Sequence, residues 1–132
     1  MNKEKRTQEV VDGGMIDGIK YYIVENGLYN PYSKNWGIWY CAYIVPPFCV
    51  RGKDPDEDIE VFPHGGITWK GYLDILKKTV WGWDYNHSQD ITFNYDNFLE
   101  TKLQVLGRNK AIEIIRKDIE EYIGGLLDEI GN

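Results

Sequence analysis

The chain has 132 residues and a mass of 15.4 kDa, which is the size of one domain. Its formal net charge is −6, and its densest charged run, residues 54–60, is acidic. The sequence shows no basic run of the kind that holds a protein on a nucleic-acid backbone. Aromatic residues make up 14% of the chain, which excludes wholesale disorder. We therefore expect an acidic globular protein that does not bind nucleic acid directly.

Residues 1–17 are polar and include Gly13 and Gly14. They predict a flexible N-terminal arm, with a short helix over residues 5–11, ahead of a single domain that spans residues 18–132. The first residues do not resemble a signal peptide, and no apolar run approaches the length of a membrane span. We therefore expect a cytoplasmic protein, in which Cys41 and Cys49 are reduced and buried as small apolar side chains.

Residues 19–24 are β-branched and aromatic, which predicts the first strand. The pair Asn26-Gly27 predicts a turn. Residues 37–45 are apolar almost throughout and predict the central strand of a sheet, covered on both faces and ended by two prolines. The extended segments 67–69 and 79–84 predict neighbouring antiparallel strands.

The last third of the chain loses its aromatics and gains helical periodicity. Apolar residues recur there at spacings of three and four, which predicts an amphipathic helix after the Gly107 break. The pair Gly124-Gly125 weakens that helix, so we expect a bend or a close packing partner there. The apolar stripe of this helix consists of Ile112, Ile115, Ile119, Tyr122, Ile123 and Leu126. A shorter helix is predicted over residues 95–106. The predicted fold class is α+β: an antiparallel β-sheet with a C-terminal amphipathic helix, or a helix pair, packed on one face.

Two polar clusters interrupt the apolar strands, at residues 63–68 and at residues 84–90. They contain His64 and His87, the only histidines of the chain. If the clusters converge, two imidazoles and two carboxylates meet. Such a set could bind a metal ion through nitrogen and oxygen ligands, act as a His–carboxylate pair in acid–base chemistry, or serve structure alone as a turn cap.

The predicted site combines these two clusters. We predict no bound metal ion and no cofactor for it. The predicted catalytic pair is His87 with Asp84, because a carboxylate can fix the tautomer of an imidazole. The glycines allow close approach of the backbone to a ligand. The predicted ligand-binding residues are His64, Gly65, Gly66, Thr68, Asp90 and Trp83.

These motifs resemble a family of small phage and prophage proteins of unassigned function. The likeness covers about residues 37–127 and includes the strand that ends at Pro46, the segment 64–68 and the segment 81–90. The chain departs from the family pattern at Trp83 and Tyr85, where the family has Phe and Cys, so a metal site that uses that Cys is not available here. The resemblance implies a role in the host cytosol and antagonism of a host defence.

Three hypotheses remain open. The first is an accessory protein that binds a small polar ligand, such as a nucleotide-like molecule. The second is a hydrolase that uses the same His and Asp residues. The third is an acidic inhibitor of a host protein, comparable to anti-CRISPR proteins, that uses the run at residues 54–60. Homo-oligomerisation is left open. Imidazoles within roughly 8 Å of each other that face an open pocket would keep the first two hypotheses, whereas two buried imidazoles hydrogen-bonded to the backbone would exclude the site.

Overall fold

The computed structural model describes residues 5–87, 90–93 and 99–131. Its main element is a five-stranded antiparallel sheet in the order β1-β2-β3-β5-β4, and β6 and β7 form a second, two-stranded antiparallel sheet. The α+β fold class is thereby confirmed. The strands are β1 (Arg6–Ile16), β2 (Ile19–Asn30), β3 (Asn35–Ile44), β4 (Trp69–Leu73), β5 (Lys78–Asp84), β6 (Ile91–Phe93) and β7 (Leu99–Thr101); the helices are α1 (Lys102–Leu106) and α2 (Arg108–Gly131).

The predicted central strand is confirmed, because β3 lies in the middle of the sheet and is covered on both faces. Side chains of a strand alternate between the faces, so Ala42 and Ile44 enter the core beneath α2. Tyr43 points to the opposite face and packs in a second apolar cluster with Val80 and Leu76. This double burial explains why the strand is apolar almost throughout.

The C-terminal helix α2 begins directly after Gly107, which adopts φ 92°. The predicted stripe is confirmed except that Ala111 is fully buried and Ile112 only partly. No helix in the described part of the chain combines the length and the apolarity needed to cross a lipid bilayer. The buried residues of α2 are Ala111, Ile115, Ile119, Tyr122, Ile123 and Leu126.

The shorter helix predicted over residues 95–106 is wrong in its extent. Residues 99–101 form β7, and only the five residues of α1 are helical, while residues 95–98 of that prediction lie outside the described part of the chain. Thr101 explains the start of α1, because its side-chain oxygen accepts the backbone N–H of Gln104 at 3.2 Å.

The side chain of Gln104 in turn completes an open stretch of the central strand. Strand β5 pairs with β3 only along residues 41–44, so residues 36–38 have no strand neighbour on that side within the described part of the chain. The Gln104 amide donates to Trp36 O at 2.8 Å and accepts the Ile38 N–H at 3.0 Å. Thr101 donates its hydroxyl to Ile38 O at 2.6 Å. The side chains of Gln104 and Thr101 thus supply hydrogen bonds to β3 that a neighbouring strand would otherwise make. These bonds attach the start of the helical region to the sheet.

The prediction for the N-terminal arm is wrong where it places a helix over residues 5–11. Residues 6–16 form β1, which pairs along the length of β2 with one bulge between Val10 and Asp12. Most of its side chains are exposed, as expected of an edge strand. Pairing with β2 over a long register, rather than a local hydrophobic pattern, defines this strand.

The turn predicted at Asn26-Gly27 is also wrong, because both residues lie inside β2. The chain turns instead at residues 31–34, where Lys34 N donates to Asn30 O at 2.8 Å. The Asn26 side chain is buried and accepts a hydrogen bond from the Gln8 side chain of β1 at 3.1 Å. A Cβ at residue 27 would overlap the Thr7 hydroxyl, so Gly27 permits β1 to approach β2 closely.

The two cysteines differ in their surroundings. Both thiols are free, but Cys49 is exposed, which corrects the prediction that both are buried. Cys41 lies in β3 beside the apolar cluster around Tyr43. Burial raises the pKa of the Cys41 thiol to about 11. The Cys41 side chain therefore stays a protonated apolar group at neutral pH.

Two arginines of α2 bind the helix to the two N-terminal strands. Arg108 donates to both carboxylate oxygens of Glu25 at 2.8 and 3.0 Å, and this bond is the main reason that the pKa of Glu25 is lowered. Arg116 donates to Asp12 at 2.8 Å and to the Tyr21 hydroxyl at 3.2 Å. Because Arg108 contacts both oxygens of Glu25, the Arg108–Glu25 pair is bidentate, the geometry that holds an arginine most firmly in place.

The close packing partner expected at Gly124-Gly125 is present at only one of the two residues. A Cβ built on Gly125 would lie 2.7 Å from Cγ2 of Val61, in the segment that crosses α2 after the acidic loop. A Cβ on Gly124 would meet no atom within 4 Å. Packing against Val61 therefore accounts for Gly125, and nothing in the structure explains Gly124.

We expect Gly124→Ala to raise the free energy of unfolding by about 1 kcal/mol, because alanine restricts the unfolded chain and favours the helix. Gly125→Ala gains the same helix propensity but overlaps Val61, so this variant should be clearly less stable than Gly124→Ala. Urea unfolding of both variants measures the difference. Equal stability of the two variants would show that Val61 moves aside at no cost.

Candidate functional site

The topology of the sheet brings the two predicted clusters to the same end of the β4–β5 pair. Antiparallel pairing places Trp69, at the start of β4, opposite Gly82, near the end of β5. The chain before β4 and the chain after β5 therefore emerge side by side. The Thr68 N–H donates to Gly82 O at 2.9 Å and extends this pairing toward His64.

The pair His64–Asp90 is the tightest contact of the site. His64 Nε2 lies 2.7 Å from Asp90 Oδ1. A carboxylate only accepts hydrogen bonds, so Nε2 carries the proton in this contact. In the neutral ring, Nδ1 of His64 then bears the lone pair, and no described residue hydrogen-bonds it. The His64 side chain is 28% exposed and the Asp90 side chain only 10%.

Asp90 also holds the second cluster in its shape. Its other oxygen, Oδ2, accepts the backbone N–H of His87 at 3.0 Å. The Asp90 N–H donates to His87 O at 2.9 Å, which closes a tight turn. One largely buried carboxylate thus joins the His64 loop to the turn that carries His87.

His87 lies beside His64 and against the glycine loop. The centroids of the two imidazole rings are 6.3 Å apart, which meets the distance criterion set from the sequence. His87 Nε2 lies 3.4 Å from Asp84 Oδ1 but forms no hydrogen bond and is buried as an atom. A Cβ on Gly65, where φ is +69°, would overlap the His87 ring, so only glycine allows this contact.

Tyr85 is a site residue that the sequence analysis did not select. Its ring stacks on the His64 ring, with centroids 4.6 Å apart and an interplanar angle of 13°. The Tyr85 hydroxyl donates to Asp118 Oδ2 of α2 at 2.7 Å and accepts the Trp83 indole N–H at 3.1 Å. Burial, together with the Asp118 carboxylate, raises the pKa of Tyr85 above its usual range. The sequence signal was an aromatic residue between Asp84 and His87, which also suits a core position.

Trp83 and Thr68 do not take the ligand-binding positions predicted for them. The Trp83 side chain is 1% exposed and packs edge-on against Tyr122 of α2 at 5.3 Å between centroids, so it cannot contact a ligand at the surface. Thr68 is exposed, and its backbone N–H donates to Gly82 O. The structure brings together His64, Gly65, Asp84, His87 and Asp90, with Gly66 (φ +81°) in the same loop.

The structure also favours a different His–Asp pair from the one predicted to be catalytic. The sequence predicted His87 with Asp84, but their 3.4 Å contact lacks hydrogen-bond geometry. The contact that fixes a tautomer is the one between His64 and Asp90. Among the described residues, no group of three or more His, Cys, Asp or Glu side chains is placed to hold a metal ion.

A surface depression of about 480 Å³ lies elsewhere, at the junction of α1 and α2, and its lining includes none of the predicted site residues. The histidine cluster is instead an open surface site, with three of its four side chains between 24% and 30% exposed. Comparisons with protein-family models, with curated proteins and with solved structures found no match. The functional argument therefore depends on the geometry of the site.

The two glycines of the loop provide a matched pair of variants. Both have positive φ, so Gly65→Ala and Gly66→Ala each cost about 1–2 kcal/mol of backbone strain. Only the Gly65 variant also pushes against the His87 ring, because a Cβ on Gly66 meets no atom within 4 Å. We expect Gly65→Ala alone to shift the His87 ring signals in ¹H–¹⁵N NMR spectra. Equal shifts in both variants would contradict the contact.

Proposed function

We propose that the protein binds a small polar ligand at the cluster of His64, Asp84, His87 and Asp90. The observation that carries this proposal is the convergence of two partly exposed imidazoles, 6.3 Å apart, each beside a carboxylate, where two strands end. Such convergent polar groups on loops held by a rigid sheet are typical of binding sites.

The scaffold supports this proposal because it fixes the orientation of His64. One edge of the ring is held by Asp90 and one face by Tyr85, which is itself held by Asp118 of α2. A side chain with so few available rotamers loses little entropy when it binds a ligand. A structural histidine would be expected to use both ring nitrogens within the protein, whereas His64 Nδ1 has no partner among the described residues.

The acidic loop is a weaker basis for function, because two of its five carboxylates, those of Asp54 and Asp58, have internal roles. Asp54 pairs with Lys70 at 2.6 Å and accepts the Asp56 N–H at 2.8 Å, while Asp58 accepts the Asp54 N–H at 2.8 Å. These contacts are typical of a turn-forming segment. The inhibitor hypothesis therefore has less support than the ligand site. The resemblance to phage proteins, and the antagonism of host defence that it implies, stay predictions.

A panel of four small molecules tests binding: benzamidine, adenosine, benzoate and AMP. At 100 times its Kd, a ligand of the site should raise the free energy of unfolding by about 2.7 kcal/mol. It should also shift the ring signals of both histidines in NMR spectra. His64→Gln should abolish the effect, and Thr79→Ser, at the far end of β5, should retain it. If no compound stabilises the protein or shifts those signals, the binding proposal is contradicted.

A second candidate function is hydrolysis, with His64 as general base. The specific observation is the 2.7 Å contact with Asp90, which leaves the Nδ1 lone pair free to take a proton from a water molecule. The carboxylate would hold the tautomer and stabilise the imidazolium that forms. Asp84 and His87 would then border the site without taking the proton.

Chromogenic esters and phosphoesters test the hydrolase candidate. Asp90→Asn should lower kcat/KM by about 10²–10⁴-fold, because the amide can donate to Nε2 and force the proton onto Nδ1. Asp84→Asn, which leaves the His64 contact intact, should have a much smaller effect, and thermal unfolding checks that both variants fold. Loss of turnover in His87→Ala but not in His64→Ala would overturn this assignment of the base.

A further inference from the structure

The charge balance of the cluster restricts the ligands it can take. Two carboxylates, Asp84 and Asp90, lie beside the imidazoles, and a third, Asp118, lies behind Tyr85. The basic side chains in the ion pairs that the structure describes are engaged elsewhere. Those pairs are Arg108 with Glu9 and Glu25, Arg116 with Asp12, Lys70 with Asp54 and Lys110 with Glu113. An anion would therefore meet carboxylates without an arginine or lysine from these pairs to offset them.

Several of the backbone donors that could cradle a phosphate are also occupied, although the N–H groups of His64, Gly65 and Ile67 have no hydrogen-bond partner among the described residues. Phosphate sites in loops depend on free N–H groups that converge on one point. Here several N–H groups of both clusters already donate within the protein. The Gly66 N–H donates to Pro63 O, the Asn86 N–H to Asp84 Oδ1, the His87 N–H to Asp90 Oδ2 and the Asp90 N–H to His87 O.

Acceptors, in contrast, are available on the exposed side of the cluster. His64 Nδ1 carries a lone pair when the ring is neutral. Asp84 uses Oδ1 for the Asn86 N–H, and its other oxygen has no hydrogen-bond partner among the described residues. Acceptors without matching donors favour a ligand that brings its own N–H groups.

We propose that the ligand of this site is a small organic cation with an ammonium or amidinium group, bound in preference to phosphate-bearing molecules. This inference depends on the proposed function, since it names the ligand class of the same site. Asp84 is the residue that determines the preference, because its carboxylate is partly exposed and retains a free oxygen. Asp90 is committed to His64 and His87 and acts as a positioning residue.

Benzamidine and benzoate test the proposal because they share size and ring but carry opposite charges. By calorimetry at pH 8, where an ordinary imidazole is neutral, benzamidine should bind at least tenfold more tightly than benzoate. Asp84→Asn should weaken benzamidine binding at least fivefold. Asp74→Asn removes the same charge from an exposed turn at the opposite end of the β4–β5 hairpin and should leave binding unchanged.

Two outcomes overturn this inference and leave the proposed function in place. One is binding of benzoate or AMP at least as tightly as benzamidine. The other is equal weakening of benzamidine binding in the Asp84 and Asp74 variants, which would show that net charge, and not the site, selects the ligand. Failure of all four compounds contradicts the proposed function itself, so the two failures can be told apart.

Discussion

Burial of β3 on both faces is the constraint on which the rest of the molecule depends. One face of this strand carries Ala42 and Ile44 against α2, and the other carries Tyr43 against the β4–β5 hairpin. A strand covered on both sides needs partners along both edges, and β2 and β5 supply them. Once β5 lies beside β3, β4 can only take the outer position, and the chain segments next to that pair must meet at one end of the sheet.

A short series of contacts positions the candidate site at this end of the sheet. The Tyr85 N–H donates to Tyr40 O at 2.9 Å, so the chain remains attached to β3 for one residue beyond β5. The Tyr85 hydroxyl is then held by Asp118 of α2, and the Tyr85 ring supports His64. Because helix and sheet both fix Tyr85, the position of His64 is coupled to the packing of the whole core. Asp90 closes the arrangement by binding both histidine-bearing segments.

Charge and hydrogen bonding in the site both favour a ligand that donates hydrogen bonds. The loops satisfy many of their own N–H groups and present carboxylate and imidazole acceptors, which suits a donor ligand and also suits a water molecule held for proton transfer. The ligand-binding and hydrolase candidates therefore use one geometry and differ in what His64 does: it accepts a hydrogen bond from the ligand in the first, and it takes a proton from a water molecule in the second. The acidic run at residues 54–60 belongs to a different part of the structure, where Asp54 and Asp58 stabilise a turn and Asp54 also binds Lys70.

The sequence by itself determined the fold class, the central strand, most of the buried stripe of α2 and the two histidine-bearing segments, because these follow from periodicity and from local breaks in it. Only the tertiary structure decided the rest. The edge strand β1 and the interior position of Gly27 depend on pairing across the sheet, which leaves no local pattern. The choice of Asp90 over Asp84 as the partner of a histidine depends on how two loops meet. The burial of Trp83 and the stacking of Tyr85 on His64 were decided by α2, which lies more than 20 residues away along the chain and closes over both side chains.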